Sequence, residues 1–241
     1  MRLDKYLVKN NNIESRSKAQ QLIESGCVVV NGVTVHHKHY DVKKEAVVEV
    51  KKAANFVSRG AYKMLGAVVA FGIDFNDKVV LDVGSSTGGF TQIALLNNAK
   101  RIYCVDVGTD QLHKSLRENP RVTVYENVNF KFMNMSMFKQ KIDIVIADLS
   151  FISLTTLLDK ISSMFTYHIN LYLLIKPQFE LTKDIVDRNR GVIKQRPLHR
   201  RAIYKVCDYA KELGFKINKV VKSPILGKDG NTEFFVHLEW K

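Results

Sequence analysis

Four charged residues each close an apolar run, in the order Asp82 in Val79–Val83, Asp106 after Ile102–Val105, Asp148 after Ile144–Ala147 and Lys176 after Leu171–Ile175. In an open α/β sheet the ligand sits outside the carboxyl ends of the strands, so these are the residues to inspect for chemistry. Asp82 leads into Gly84-Ser85-Ser86-Thr87-Gly88-Gly89-Phe90, a glycine-rich turn that opens a helix. Such glycines let backbone approach a ligand where a Cβ would clash, and the helix N–H groups then point at it. The spacing is not Gly-x-Gly-x-x-Gly, and no Gly-Lys-Ser/Thr follows, so a pyrophosphate cradle is a poor fit. S-adenosylmethionine fits better. It has no pyrophosphate, and Asp82 can balance its sulfonium and amino group. Asp106, 24 positions beyond Asp82, is the expected acceptor for two ribose hydroxyls, and Val107, Asn127 and Asp148 complete the expected cofactor set.

The residues after the fourth strand sort methyl acceptors. Asp148-Leu149-Ser150-Phe151 lacks the paired prolines common in amino-group enzymes, and none of Cys27, Cys104 and Cys207 sits beside a proline as a cytosine C5 nucleophile would. A hydroxyl acceptor remains. A ribose 2′-OH is a poor nucleophile, so transfer needs a base, or a group that bonds the hydroxyl and aims its lone pair at the methyl. Lys176 can serve if Lys63 lies nearby, because a second cation and partial burial both disfavour its ammonium form. Asp148 and Glu233 would then hold the two lysines.

The elements that must position these residues follow from hydrophobic periodicity. Strands are expected near 78–83, 101–105, 122–125, 142–147, 171–175, 215–222 and 233–240, with helices near 89–97, 110–117, 153–164 and 197–213. That alternation predicts a doubly wound α/β fold over 59–241. Residues 51–58 break the alternation and are the expected linker, flexible enough for RNA to reorient what it joins. Before it, Leu3, Leu7 and Val8 share one side of a short helix and Arg2, Lys5 and Lys9 another. Ser15 is a candidate N-cap for a helix over 16–24 that presents Arg16, Lys18 and Gln20 and stops at Gly26. Asn31-Gly32 between Val28–Val30 and Val33–Val35 marks a type I′ hairpin. Residues 1–50 thus form a small α+β domain.

The net charge of +13 points to a polyanionic partner, nucleic acid ahead of a membrane surface. Three isolated cysteines without Cys-x-x-Cys spacing fit a reducing cytoplasm and neither a disulfide framework nor a zinc site. No signal core or membrane-length apolar run is present. The His36-His37-x-His39 cluster reads as an exposed turn, and Met133, Met135 and Met137 as core or surface filler. The stretch 183–201, which carries Lys183, Arg188, Arg190, Lys194, Arg196, Arg200 and Arg201 with Gly191, reads as a long basic loop suited to phosphates, and Lys222–Lys228 as a mobile rim before Glu233.

Two resemblances sharpen this reading. Arg2–Leu7, Ser15-Arg16-Ser17-Lys18-Ala19 and the Val-Asn-Gly-Val hairpin resemble the alpha-L RNA-binding domain shared by a small-subunit ribosomal protein, pseudouridine synthases and tyrosyl-tRNA synthetases. Ser58–Lys63, Asp82–Phe90, Ala147–Phe151, Ile175–Glu180 and Gly230–Phe234, in that order, resemble the TlyA family, whose members join an alpha-L domain to an FtsJ-like methyltransferase and were long called haemolysins. The resemblance implies a Rossmann-like methyltransferase sheet with its last strand antiparallel, a catalytic set of Lys63, Asp148, Lys176 and Glu233, and 2′-O-methylation of cytidine in ribosomal RNA with S-adenosylmethionine and no obligate metal. The short ends are similar to the subgroup that modifies large-subunit RNA only. Arg2, Lys5, Arg16, Lys18, Arg59, Arg188 and Arg190 are the expected RNA contacts. Competing readings are a membrane-damaging haemolysin, an RNA-binding protein with an inactive methyltransferase fold, and a NAD-dependent enzyme.

Overall fold

The computed structural model describes residues 1–241 other than 12, 25, 26, 36 and 51–55. The expected helix stop at Gly26, most of the expected linker, and His36 therefore lie outside the described residues. The chain divides into two compact units, Met1–Arg59 and Gly60–Lys241.

The first unit contains α1 (Leu3–Asn10), α2 (Arg16–Glu24), β1 (Val28–Val30), β2 (Val33–Thr34) and β3 (Val48–Val50). Leu3, Leu7, Ala19, Leu22, Ile23, Val28 and Val30 form its core, the apolar stripe expected of both helices. Ser15 caps α2 by accepting the Lys18 N–H. Asn31 and Gly32 both have positive φ, as the type I′ turn requires. The Asn31 side chain then accepts the Val47 N–H and leads β3 into antiparallel register on β1. That third strand lacks the length and alternation that would have marked it in sequence.

The second unit contains α3 (Gly60–Phe71), β4 (Val79–Val83), α4 (Gly89–Leu96), β5 (Arg101–Val105), α5 (Lys114–Arg117), β6 (Val122–Tyr125), β7 (Ile144–Ala147), α6 (Leu154–Met164), β8 (Ile169–Ile175), α7 (Pro177–Glu180), α8 (Lys183–Arg188), α9 (Arg196–Glu212), β9 (Lys216–Lys222) and β10 (Phe234–Trp240). The sheet order is β6-β5-β4-β7-β8-β10-β9, parallel except for β10, which runs antiparallel to both neighbours. β4, β7 and β8 are buried almost throughout because helices cover both faces, which is why they read as unbroken apolar runs. The order reverses at β4, between β5 and β7, and this switch point opens the crevice where ligands bind.

Two expectations are corrected. The stretch 183–201 is mostly helical, with α8 ending at Arg188 and α9 starting at Arg196, so only 189–195 is loop. The segment Lys222–Lys228 is not free along its whole length, because Ser223, Ile225 and Gly227 are buried. A Cβ on Gly66 of α3 would stand 2.5 Å from Pro224 Cγ, and one on Gly227 would stand 2.4 Å from Glu233 Oε1.

Candidate active site

Register explains how residues far apart in sequence meet. Asp148 and Lys176 directly follow β7 and β8, which are parallel neighbours, so both emerge at the same edge of the sheet. Because β10 is antiparallel, its first residue Phe234 pairs with Ile175, the last of β8. Glu233 therefore lies beside Lys176 in the sheet although 57 positions separate them. A parallel last strand would have carried Glu233 to the opposite edge. Lys63 arrives from α3, whose Gly66 lets the helix close onto Pro224 one turn further along.

The four side chains form an alternating chain of charge. Lys176 Nζ lies 2.6 Å from Asp148 Oδ1 and donates to Ser150 Oγ at 2.8 Å. Lys63 Nζ lies 3.5 Å from Asp148 Oδ2 and 2.7 Å from Glu233 Oε2. Asp148 thus stands between the lysines, and each ammonium has a carboxylate partner. Lys63, Lys176 and Glu233 are buried, while Asp148 stays partly open. Burial pushes the Glu233 carboxyl up, against the pull of Lys63. Ser150 and Gly227 were not foreseen as site residues. The short step from strand to helix at 148–153 was the available sign for the serine, but nothing local marks the glycine.

Asp148 also lines a cavity of about 340 Å³ at the switch point. Gly84, Ser86, Asp106 and Val107, all expected, line it too. Val105, Val128, Phe130 and Leu149 give it apolar walls suited to a flat base. The Asp106 carboxylate accepts the Ser86 and Gly108 N–H groups, each at 2.7 Å, and is thereby fixed. Each of its oxygens keeps a lone pair for a ribose hydroxyl. Gly84 has φ +78°, and a Cβ there would stand 2.9 Å from Leu149, so only glycine lets the two loops meet.

Other expected cofactor residues stand behind this wall. Asn127 does not line the cavity. It takes a positive φ and donates its N–H to Gly108, a turn role, and its neighbours Val128 and Asn129 face the space instead. Ser85, Thr87, Gly88, Gly89 and Phe90 are not lining residues either. Gly88 adopts the left-handed region so that Leu112 and Leu116 can pack against it, and Phe90 packs on Phe235. Asp82 is fully buried. One oxygen accepts from Thr91 Oγ1 at 2.6 Å and the other has no hydrogen-bond partner among the described residues. Burial pushes this carboxyl up to about 7, with the nearby Asp148 and Asp106 charges adding to it. An apolar slot with a fixed carboxylate at one end, and a buried acceptor lacking a donor behind the glycine turn, match the ribose, base and cationic end of S-adenosylmethionine.

The expected RNA contacts divide. Lys5 and Lys18 are exposed on α1 and α2, as are Arg188 and Arg190, whereas Arg59 is half-buried. Arg2 and Arg16 instead turn their guanidiniums onto the buried Asp4, at 2.9 Å each. Among the described residues no cluster of His, Cys, Asp and Glu could hold a metal ion.

Comparison with known proteins agrees with this fold. The family profile described as FtsJ-like methyltransferase matches residues 56–240, and the S4 domain profile matches residues 1–48. The chain is 39% identical to "Hemolysin A" of Brachyspira hyodysenteriae over 99% of both chains. It is 37% identical to the 16S/23S rRNA (cytidine-2'-O)-methyltransferase TlyA of Mycobacterium tuberculosis, covering 98% of this chain and 89% of that one. It is 36% identical to the 23S rRNA (cytidine-2'-O)-methyltransferase TlyA of Campylobacter jejuni, covering 98% of each. A solved structure of a candidate hemolysin from Streptococcus thermophilus superposes with a TM-score of 0.75 at 32% identity, over 99% of this chain and 88% of that one. The chain belongs to the TlyA family, an S4 domain joined to an FtsJ-like methyltransferase.

Proposed function

We propose that this protein transfers the methyl group of S-adenosylmethionine to the 2′-hydroxyl of a cytidine in ribosomal RNA, with the large subunit as its substrate and the cytoplasm as its setting. The observation that carries the reading is Asp148, which belongs at once to the cofactor-shaped cavity and to the lysine–carboxylate chain. Bound S-adenosylmethionine supplies an electrophilic methyl on a sulfonium. Lys176 in its amine form takes the hydroxyl proton as the oxygen–methyl bond forms. Asp148 and Ser150 hold the nitrogen in place, and Lys63 with Glu233 fixes the far side of Asp148. The sulfonium charge lost on transfer reappears as the ammonium of Lys176, so the site's net charge is unchanged. Phe151, 86% exposed and held at positive φ beside Phe179, offers an aromatic face at the mouth for the base of the acceptor nucleotide.

The haemolysin reading has no support in the fold. Among the described residues no helix is long and apolar enough to cross a membrane. The test is transfer of labelled methyl from S-adenosylmethionine to large and small ribosomal subunits from a strain lacking the gene. The expected result is label in large-subunit RNA recovered as 2′-O-methylcytidine. Label on another atom, or none despite cofactor binding, overturns the assignment.

A further inference from the structure

The arginines of the methyltransferase unit fall into two groups. Arg101 donates to Thr123 Oγ1, Arg117 to Glu126 and Arg121 to the Ala99 carbonyl, so all three are engaged within the fold. The side chains of Arg188, Arg190, Arg196, Arg200 and Arg201 have no hydrogen-bond or ion-pair partner among the described residues. From Arg188 to Lys205 the chain carries seven cations and no carboxylate.

The stereochemistry of α9 gives this charge a shape. Ala202, Val206 and Ala210 are buried, whereas Arg196, Pro197, Arg200, Arg201, Tyr204 and Lys205 recur every three or four residues on the outer face and line a shallow groove. No acidic residue occupies the first turn, so Arg196 stands at the positive end of the helix dipole, where a cation is disfavoured. The arrangement strengthens a positive field at some cost to the helix. Tyr204 is 60% exposed in the middle of that field. Lys205 donates to the Glu180 carbonyl at 2.7 Å, which fixes the groove beside α7, the helix that starts immediately after Lys176.

We propose that this groove binds a single-stranded stretch of the substrate RNA next to the modified nucleotide, with one unpaired base stacked on Tyr204 and the flanking phosphates on Arg196, Arg200 and Arg201. The proposal rests on the reading of the substrate as RNA. Guanidinium forks suit phosphate oxygens, and an aromatic ring among them suits an exposed base, which a duplex keeps inside its stack. An anionic lipid surface is less suited, because among the residues lining the groove Pro197 alone adds an exposed aliphatic side chain to the cations.

The experiment compares binding of the full chain to large-subunit ribosomal RNA across a salt series for wild type, Arg200→Ala/Arg201→Ala, Tyr204→Leu, Tyr204→Phe and the charge-matched Lys114→Ala/Lys211→Ala. The double arginine variant is expected to bind about tenfold more weakly and to lower the slope of log affinity against log salt by about 1.4, two single-strand phosphate contacts. Tyr204→Leu is expected to lose about tenfold, and Tyr204→Phe to keep wild-type affinity. The lysine control is expected to keep the wild-type slope. The thermal shift given by S-adenosylmethionine is expected to be the same in every variant, which shows that the fold and cofactor site persist. Equal slopes in the arginine variant and the lysine control overturn the proposal, as do equal affinities for Tyr204→Leu and Tyr204→Phe. So does loss of binding to phosphatidylglycerol vesicles with RNA binding intact. If wild type methylates ribosomal RNA and the variants bind as it does, the groove fails and the reaction stands. If no methyl is transferred but the arginine variant loses RNA affinity, the reaction fails and the groove stands.

Discussion

Each unit of this protein buries a carboxylate among cations, and the two clusters differ in which cations they use. In the S4 unit, Asp4 accepts two bonds from Arg2, one from Arg16, one from Gln20 and one from the Lys5 N–H. Burial alone would raise its pKa, yet the Arg2, Arg16 and Gln20 donors hold the carboxyl well below the usual carboxylate range. In the methyltransferase unit, Asp148 and Glu233 face Lys63 and Lys176. Arginine keeps its proton at any accessible pH and binds carboxylate as a rigid fork, so the first cluster is a structural clasp. Lysine can give up its proton, so the second can move one. The same attraction holds a fold in one unit and, in the proposed function, serves a reaction in the other.

Exchanging the cations tests that contrast most severely. Lys176→Arg preserves charge but removes the amine form, so it is expected to lower the rate of methyl transfer about 10²–10⁴-fold, as is Lys176→Ala, with cofactor affinity little changed. Single-turnover transfer to large subunits measures it, and near-normal turnover by the arginine variant breaks the comparison.

Asp82 is another buried carboxylate, and it has no cationic partner among the described residues. With its folded pKa near 7, the native state retains a proton that the unfolded chain has lost. Stability therefore falls as pH rises from about 4 to about 7, by at most about 4 kcal/mol. Asp82→Asn keeps an acceptor for Thr91, so it is expected to flatten this fall, raise the melting temperature above pH 7 and weaken S-adenosylmethionine binding. Melting curves at pH 5 and pH 8 decide the point, and parallel pH profiles for variant and wild type contradict it.

A Cβ placed on Gly227 drives into Glu233, so Gly227→Ala is expected to slow transfer about tenfold to a hundredfold while leaving RNA binding intact. A rate loss that high RNA concentration restores would move the effect to binding. The smallest effects belong to the S4 clasp. Asp4→Ala is expected to destabilise that unit by about 2 kcal/mol through lost charge-assisted hydrogen bonds, and Arg16→Lys by less than about 1 kcal/mol. Because the Asp4 pKa is depressed, its contribution is present above about pH 4 and disappears as the solution is made more acidic. Proteolysis of residues 1–59 as a function of pH reads this directly.

Strand identity was legible because a doubly wound fold writes its buried strands as apolar runs, each ending at a residue that faces the crevice. Asp106, Asp148 and Lys176 could be picked out for that reason. Asn127 takes a turn role while Asn129 faces the cavity, and an irregular loop gives no period from which to tell them apart. The pairing of Arg2 and Arg16 with Asp4 was hidden for a different reason. A basic helix face looks the same in sequence whether its arginines meet phosphate or, as here, a carboxylate of the same unit twelve or fewer positions away. The basic run 183–201 was visible as charge, but it was read as loop because its α8 is short and polar.

By itself the sequence determined the alternation of strands and helices, the glycine turn after β4, the capped helix and type I′ turn of the S4 unit, and the charged residues at strand ends. All of these depend on neighbours a few positions apart, where propensity and periodicity act. Only the tertiary structure decided that Asp148 bridges the two lysines and that Glu233 meets Lys63. Those contacts depend on the antiparallel register of β10 against β8 and on close packing between segments distant in the chain, which no local pattern encodes.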